Sequence, residues 1–151
     1  MSDSICDPQI LSHIQNDAFA SHLGARVEVP APGHSRVFLT VTDAMTNFHG
    51  TTHGGVIFSI SDMAFAAACN SHGRVAVALN VNICFVRPSF PRDRLLAEAK
   101  QVHKGGRTAL YDITVTNEDT GELIAKSQDQ AFRKDERIVP PSTCRQPRTS
   151  P

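Results

Sequence analysis

Asp62 is the residue best placed to do chemistry in this sequence. It lies in an apolar run that follows a polar, glycine-rich turn, Asn47-Phe48-His49-Gly50-Thr51-Thr52-His53-Gly54-Gly55, and that continues through Val56-Ile57-Phe58 to Phe65-Ala66-Ala67-Ala68-Cys69. A helix that is apolar on nearly every side is one wrapped by other structure. No Lys or Arg occurs between Arg36 and Arg74, so the carboxylate has no cation near it in sequence, and burying it unpaired costs several kcal/mol. A group kept at that cost has the profile of a general base or a nucleophile. The glycines let backbone pass close to a ligand, and open amides at a helix N-terminus, with the dipole behind them, suit negative charge developing on an oxygen. Turn and helix thus carry the parts of an oxyanion site, with the Gly54 amide as donor.

Other chemistries find less support. His49 and His53 are four residues apart, but Gly50 and two threonines separate them and no acidic residue follows as in a zinc-binding helix; no metal or cofactor is expected. The cysteines lack a neighbouring base, and no Gly-x-Ser-x-Gly occurs, which removes the usual nucleophile elbow.

A chain of 151 residues, 40% hydrophobic, holds one domain with a real core. That domain is expected over residues 1–134, with a disordered, proline-punctuated tail over 135–151. The net charge is zero, without the basic footprint of a nucleic-acid binder. Cys6, Cys69, Cys84 and Cys144 form no CxxC pair, in keeping with free thiols in a reducing cytoplasm. The N-terminus lacks the basic start and apolar centre of a signal peptide, and the run from Val56 to Cys69 is too short to span a bilayer. No membrane association is expected.

The elements follow from periodicity. Asp7-Pro8 starts a helix whose stripe of Ile10, Leu11, Ile14, Phe19 and Leu23 ends near Gly24. Val27 and Val29 open a hairpin, turned at Pro30-Ala31-Pro32-Gly33, in which Val37, Leu39 and Val41 alternate with Arg36, Phe38 and Thr40. The glycine turn and the long helix come next, the latter ending near Gly73. Four extended runs follow. In the first, Val75, Val77, Leu79, Val81, Ile83 and Phe85 share one face; the others are Arg94 to His103, Arg107 to Thr116 and Glu122 to Arg133. A helix this apolar requires an antiparallel sheet curled round it, an α+β architecture.

This order of elements and these residues resemble the hotdog fold, and specifically the acyl-CoA thioesterases of the phenylacetic-acid-degradation (PaaI) type. The resemblance rests on Asn47 six residues before His53, on His53-Gly54-Gly55, on Asp62 nine residues after His53, on Phe85-Val86-Arg87-Pro88, and on His103 through Ile113. It implies hydrolysis of an acyl-CoA, aromatic such as phenylacetyl or medium-chain, to free acid and coenzyme A. The implied catalytic set is Asp62, Gly54, Asn47 and His53. Asn47 would orient water or carbonyl, and His53 would hold the turn or donate to the thioester. The implied substrate-binding set is Gly55, Phe58, Val86, Arg87, Pro88, Lys104, Gly105, Gly106, Arg107 and Thr108, with the basic residues toward the phosphates; Phe58, Met63 and Phe65 could line an acyl slot. Departures from the pattern are Arg92-Asp93 where relatives commonly carry Gly-Asp, Gly106 where a basic residue is frequent, and Ala78 where several relatives carry a hydroxyl.

Spacing adds a requirement of its own. Gly54 and Asp62 are eight residues apart on one helix, about 12 Å along its axis, too far to serve one carbonyl. A homodimer with two shared sites is therefore expected, Asp62 of one subunit meeting Gly54 and Asn47 of the other. The resemblance implies the same arrangement and further pairing into tetramers. The rival readings are a hotdog hydratase or dehydratase, which needs a differently placed acid and base, and a non-catalytic acyl-CoA-binding protein, which gains nothing from an unpaired buried carboxylate.

Overall fold

The computed structural model describes residues 5–138. Its elements run α1 (Pro8–Gln15), α2 (Ala18–Leu23), β1 (Arg26–Ala31), β2 (His34–Thr40), α3 (Gly54–Asn70), β3 (Arg74–Phe85), β4 (Arg94–Lys104), β5 (Thr108–Asn117) and β6 (Leu123–Arg137). The strands form one six-stranded sheet in the order β1-β2-β4-β5-β6-β3, antiparallel at every pairing. Helix α3 lies in its concave face. Ile57, Ile60, Ala64, Phe65, Ala68 and others of its residues are buried against inward residues such as Val37, Leu95, Ala97, Tyr111 and Ile113. Small residues on β4 let the helix seat closely, and the Phe65 and Tyr111 rings meet edge to face at 5.7 Å, a favoured aromatic geometry.

The expected single N-terminal helix is two. The Asp17 side chain accepts from the Ala20 amide at 2.8 Å and so caps a new helix, and Asn16 closes the first. An Asp able to cap overrides the continuous apolar stripe, and Phe19 is left exposed. The expected single face of β3 is also corrected. The register with β6 slips between Ala78 and Asn80, a bulge at Leu79 that moves later residues to the opposite face. Ala76 and Ala78 therefore share the face of their partners Arg133 and Ala131 before the bulge, and Val81, Ile83 and Phe85 that of Asp129, Ser127 and Ala125 after it; of these Ala76 is buried, Val81 and Ile83 are half-buried, and Ala78 and Phe85 are exposed. Val77 and Leu79 are exposed.

Strand β6 takes in residues 135–137, which the sequence assigned to the tail. Arg74 draws them in, bonding the Lys134 carbonyl at 2.8 Å and the Asp135 carboxylate at 3.2 Å. The rest of the expected tail, from 139, lies outside the described residues. At the turn into β4, Arg92 adopts φ 75°, the left-handed conformation for which glycine is the unstrained choice. The turn keeps its shape because the Arg92 amide donates to Val41 and the Asp93 carboxylate accepts from the Phe90 amide, both at 2.8 Å.

Candidate active site

The start of α3 is held in place before any ligand arrives. His53 is the N-cap, and its Nδ1 accepts from the Gly55 amide at 2.9 Å, which puts the ring proton of the neutral imidazole on the outward Nε2. The Gly55 amide is thereby occupied. The Gly54 amide bonds no group among the described residues and is the open donor at this terminus. A Cβ on Gly54 would meet only the Phe85 ring, at 3.6 Å, so the close approach glycine permits here is toward the outside. The turn behind it is braced: the His53 amide donates to Met45 at 2.7 Å and the Thr52 amide to Ser89 at 2.9 Å, while the buried Ser89 and Thr52 hydroxyls bond each other at 2.7 Å. Asn47 serves the same turn. Its Oδ1 accepts from the His49 amide at 2.9 Å and its Nδ2 donates to Thr51 at 3.0 Å.

Asp62 is half-buried two turns further along α3. Burial first, then the Asp17 carboxylate, push its carboxyl above the usual range, so the ionised form is a stronger base than an ordinary aspartate. Beside it a cleft of about 340 Å³ opens between α3 and the end of α1 with the link to α2, lined by Ile14, Asp17, Met63, Ala66, Asn70 and others. Phe58 is partly exposed near the helix start, and Phe65 is committed to the core.

The expected substrate-binding residues divide between two ends of the sheet. Val86, Arg87 and Pro88 leave β3 at its C-terminal end, where Arg87 pairs with Glu122 at 2.5 Å and the Val86 and Arg87 amides bond Ile124. Lys104, Gly105, Gly106, Arg107 and Thr108 form the β4–β5 turn. That turn lies by the N-terminal end of β3: Arg74 bonds the Gly106 carbonyl at 3.2 Å and Arg133 the Gly105 carbonyl at 2.8 Å. The length of β3, roughly 35 Å, separates the groups within one chain. The structure does not bring Arg87 together with Lys104 and Arg107 in one subunit, just as it does not bring Gly54 to Asp62.

Two features escaped the sequence reading. Arg74 and Arg133 organise the double-glycine turn from strands that are distant in sequence. Asp129 on β6 is wholly buried, with its Oδ1 accepting from the Ser127 hydroxyl. Its signal was there to read: Ala125, Ser127, Asp129 and Ala131 recur at period two, so a strand face that must point to the core carries a carboxylate.

Residues 49–124 match the family model of the thioesterase superfamily. The acyl-coenzyme A thioesterase PaaI of Escherichia coli is 45% identical over 104 residues, 69% of this chain and 74% of that protein. The structure of the E. coli PaaI protein from the phenylacetic acid degradation operon superposes with a TM-score of 0.81 at 39% identity, over 85% of this chain and 93% of that one. A Streptococcus mutans protein solved bound to acetyl-CoA superposes with a TM-score of 0.71 at 31% identity, over 75% and 90% of the two chains. With a six-stranded antiparallel sheet round one central helix and this family match, the chain belongs to the thioesterase superfamily and has the hotdog fold.

Proposed function

We propose that the protein is an acyl-CoA thioesterase whose sites are shared between two subunits. The observation that carries this is the pairing, on one helix, of an open Gly54 amide with an Asp62 carboxylate that burial makes more basic. The Gly54 amide takes the thioester carbonyl oxygen, and the charge that grows there on attack is met by that amide and the helix dipole. Asp62 from the other subunit either removes a proton from the attacking water or attacks the carbonyl carbon itself. On the water route the C–S bond breaks, the proton held by Asp62 goes to the leaving thiolate and the free acid is released. On the direct route the thiolate leaves against a mixed anhydride on Asp62, and water hydrolyses that anhydride to the free acid, restoring the carboxylate and supplying the thiol proton. His53 fixes the turn and presents its outward Nε2 proton toward the thioester; Asn47, whose side chain is largely spent on the turn, keeps the amide aimed.

The subunits join through β3. From Val75 to Val86 this edge strand carries no charge and no proline, with Val77, Leu79, Phe85 and Val86 exposed. The opposite edge, β1, is blunted by Arg26, Glu28 and Pro30 in the way edges are protected against pairing. Antiparallel pairing of two β3 edges would set Asp62 against the partner's start of α3, and Arg87, which pairs with Glu122, near the β4–β5 turn with Lys104 and Arg107, cations suited to the coenzyme A phosphates. Further association into a tetramer adds no group this site requires. The acyl group is aromatic, phenylacetyl in the first instance, or of medium length. Among the described residues no helix is long and apolar enough to cross a membrane, and free Cys6, Cys69 and Cys84 accord with a cytoplasmic setting.

Thiol release from a panel of acyl-CoAs, acetyl to palmitoyl with phenylacetyl and benzoyl, tests the activity. Turnover is expected on at least one aromatic or medium-chain member, and Asp62→Asn is expected to lower it about a hundredfold or more with the fold intact. Near-normal turnover in that variant overturns the assignment.

A further inference from the structure

The β4–β5 turn has its carbonyls and its open amides sorted to opposite sides. Arg133 Nη1 donates to the Gly105 carbonyl at 2.8 Å, Arg74 Nη1 to the Gly106 carbonyl at 3.2 Å, and the Arg133 amide to the Arg107 carbonyl at 2.7 Å. The Gly105 amide closes the turn onto the Thr108 carbonyl at 2.8 Å. The amides of Gly106 and Arg107 donate to no group among the described residues, and both residues are exposed. In a planar trans peptide the N–H points opposite to the C=O of the preceding residue. The Gly105 and Gly106 carbonyls point at the two arginines, so the Gly106 and Arg107 amides point away from them. A Cβ on Gly106 would meet nothing within 4 Å, so the turn is open there.

The arginines replace bonds that the turn would ordinarily make for itself. A turn commonly bonds its fourth residue back to the carbonyl of its first. Here that bond, from Thr108 to Gly105, is absent among the described residues, and the Arg133 guanidinium stands in its place. Arg133 is half-buried with its Nε lacking a hydrogen-bond partner, a donor left unmade at a cost. Arg74 spends its other donors on the Lys134 and Arg133 carbonyls and on Asp135.

We propose that Arg133 and Arg74 are positioning residues for a phosphate group of the substrate: by drawing the turn's carbonyls inward they aim the Gly106 and Arg107 amides outward as a two-donor anion cradle. The proposal rests on the acyl-CoA reading, which makes coenzyme A the source of the phosphate. Successive backbone N–H groups turned to one side form an anion-binding concavity. The exposed Lys104 and Arg107 side chains flank it, and the two guanidinium charges behind it add to the same field. Asp135 pairs with Arg74 from a fully exposed position, where solvent screens the pair. Neither Arg74 nor Arg133 touches the ligand in this arrangement; each acts through a carbonyl of the turn.

Amide NMR and kinetics test this together. In wild type, coenzyme A should move the Gly106 and Arg107 amide protons to lower field, and pantetheine, which lacks the phosphates, should not. Arg133→Met should abolish those shifts and raise KM for acyl-CoA about tenfold with kcat nearly unchanged, while KM for the matching acyl-pantetheine stays where it was. A merely structural role would act alike on both thioesters and lower kcat as well. If Arg133→Met does not fold, Arg74→Met, which releases only the Gly106 carbonyl, should show the same split at a severalfold rise in KM. Gly106 and Arg107 amides unmoved by saturating coenzyme A, or moved as far by pantetheine, overturn the proposal, as does a KM that rises equally for both thioesters. Should no acyl-CoA be hydrolysed, the thioesterase reading falls, and the amide shifts with coenzyme A still decide the cradle.

Discussion

At the scale of single residues, the amide of Gly54 and the capping ring of His53 divide two jobs that a run of glycines would otherwise confuse. His53 Nδ1 holds the Gly55 amide, so only Gly54 has its N–H to offer. The division can be tested without disturbing the helix, because proline is tolerated at the first helical position, where its missing N–H breaks no helical bond. His53, at φ −59° and ψ 132°, already has the extended conformation that a following proline requires. Gly54→Pro should therefore lower kcat by about a hundred- to a thousandfold, the usual cost of losing an oxyanion donor, with the thermal midpoint changed by only a few degrees. Comparable kcat in wild type and Gly54→Pro would move the oxyanion site elsewhere. Asp62 stood out in the sequence because the surrounding stretch lacks charge; Asp129 did not, because its strand alternates it with Lys126, Gln128 and Gln130 on the outward face and only pairing shows which way each points.

At the scale of elements, what the sequence concealed is what depends on partners rather than on period. Hydrophobic alternation located all six strands and the long helix, yet the bulge at Leu79 splits a face that alternation made continuous, since a bulge is fixed by the register of the neighbouring strand. The break between α1 and α2 depends on Asp17 choosing to cap, a local competition that an apolar stripe does not record. Arg92 likewise holds a left-handed turn through bonds made by the segments on either side. The β3 edge offers the prediction at this scale. Val77 and Leu79 are 42% and 55% exposed, so lysine at both positions removes little from the monomer core and places charge along the edge, where it discourages pairing. The double variant Val77→Lys, Leu79→Lys should run as a folded monomer by light scattering and circular dichroism, with turnover reduced about tenfold or more. A variant that remains dimeric and fully active would show that β3 is not the interface.

At the scale of the whole molecule, the fold poses a problem that one chain does not solve. The open amide and the basic carboxylate lie about 12 Å apart along α3, and the cations of Arg87 and the β4–β5 turn sit at opposite ends of a strand roughly 35 Å long. The proposed two-fold axis through paired β3 edges would resolve both separations at once, since antiparallel pairing exchanges the two ends of the strand between subunits. The consequence is complementation. In a hybrid of an Asp62→Asn subunit with a Gly54→Pro subunit, one site carries both lesions and the other carries neither. Equal mixing of the two inactive proteins, with exchange of subunits, should form about half hybrids, each with one working site, and so recover about a quarter of wild-type turnover. Mass spectrometry of the intact assemblies establishes that hybrids have formed. Hybrids that are present yet inactive would confine the site to a single chain, and the geometry of α3 would then have to be read again from the amide outward.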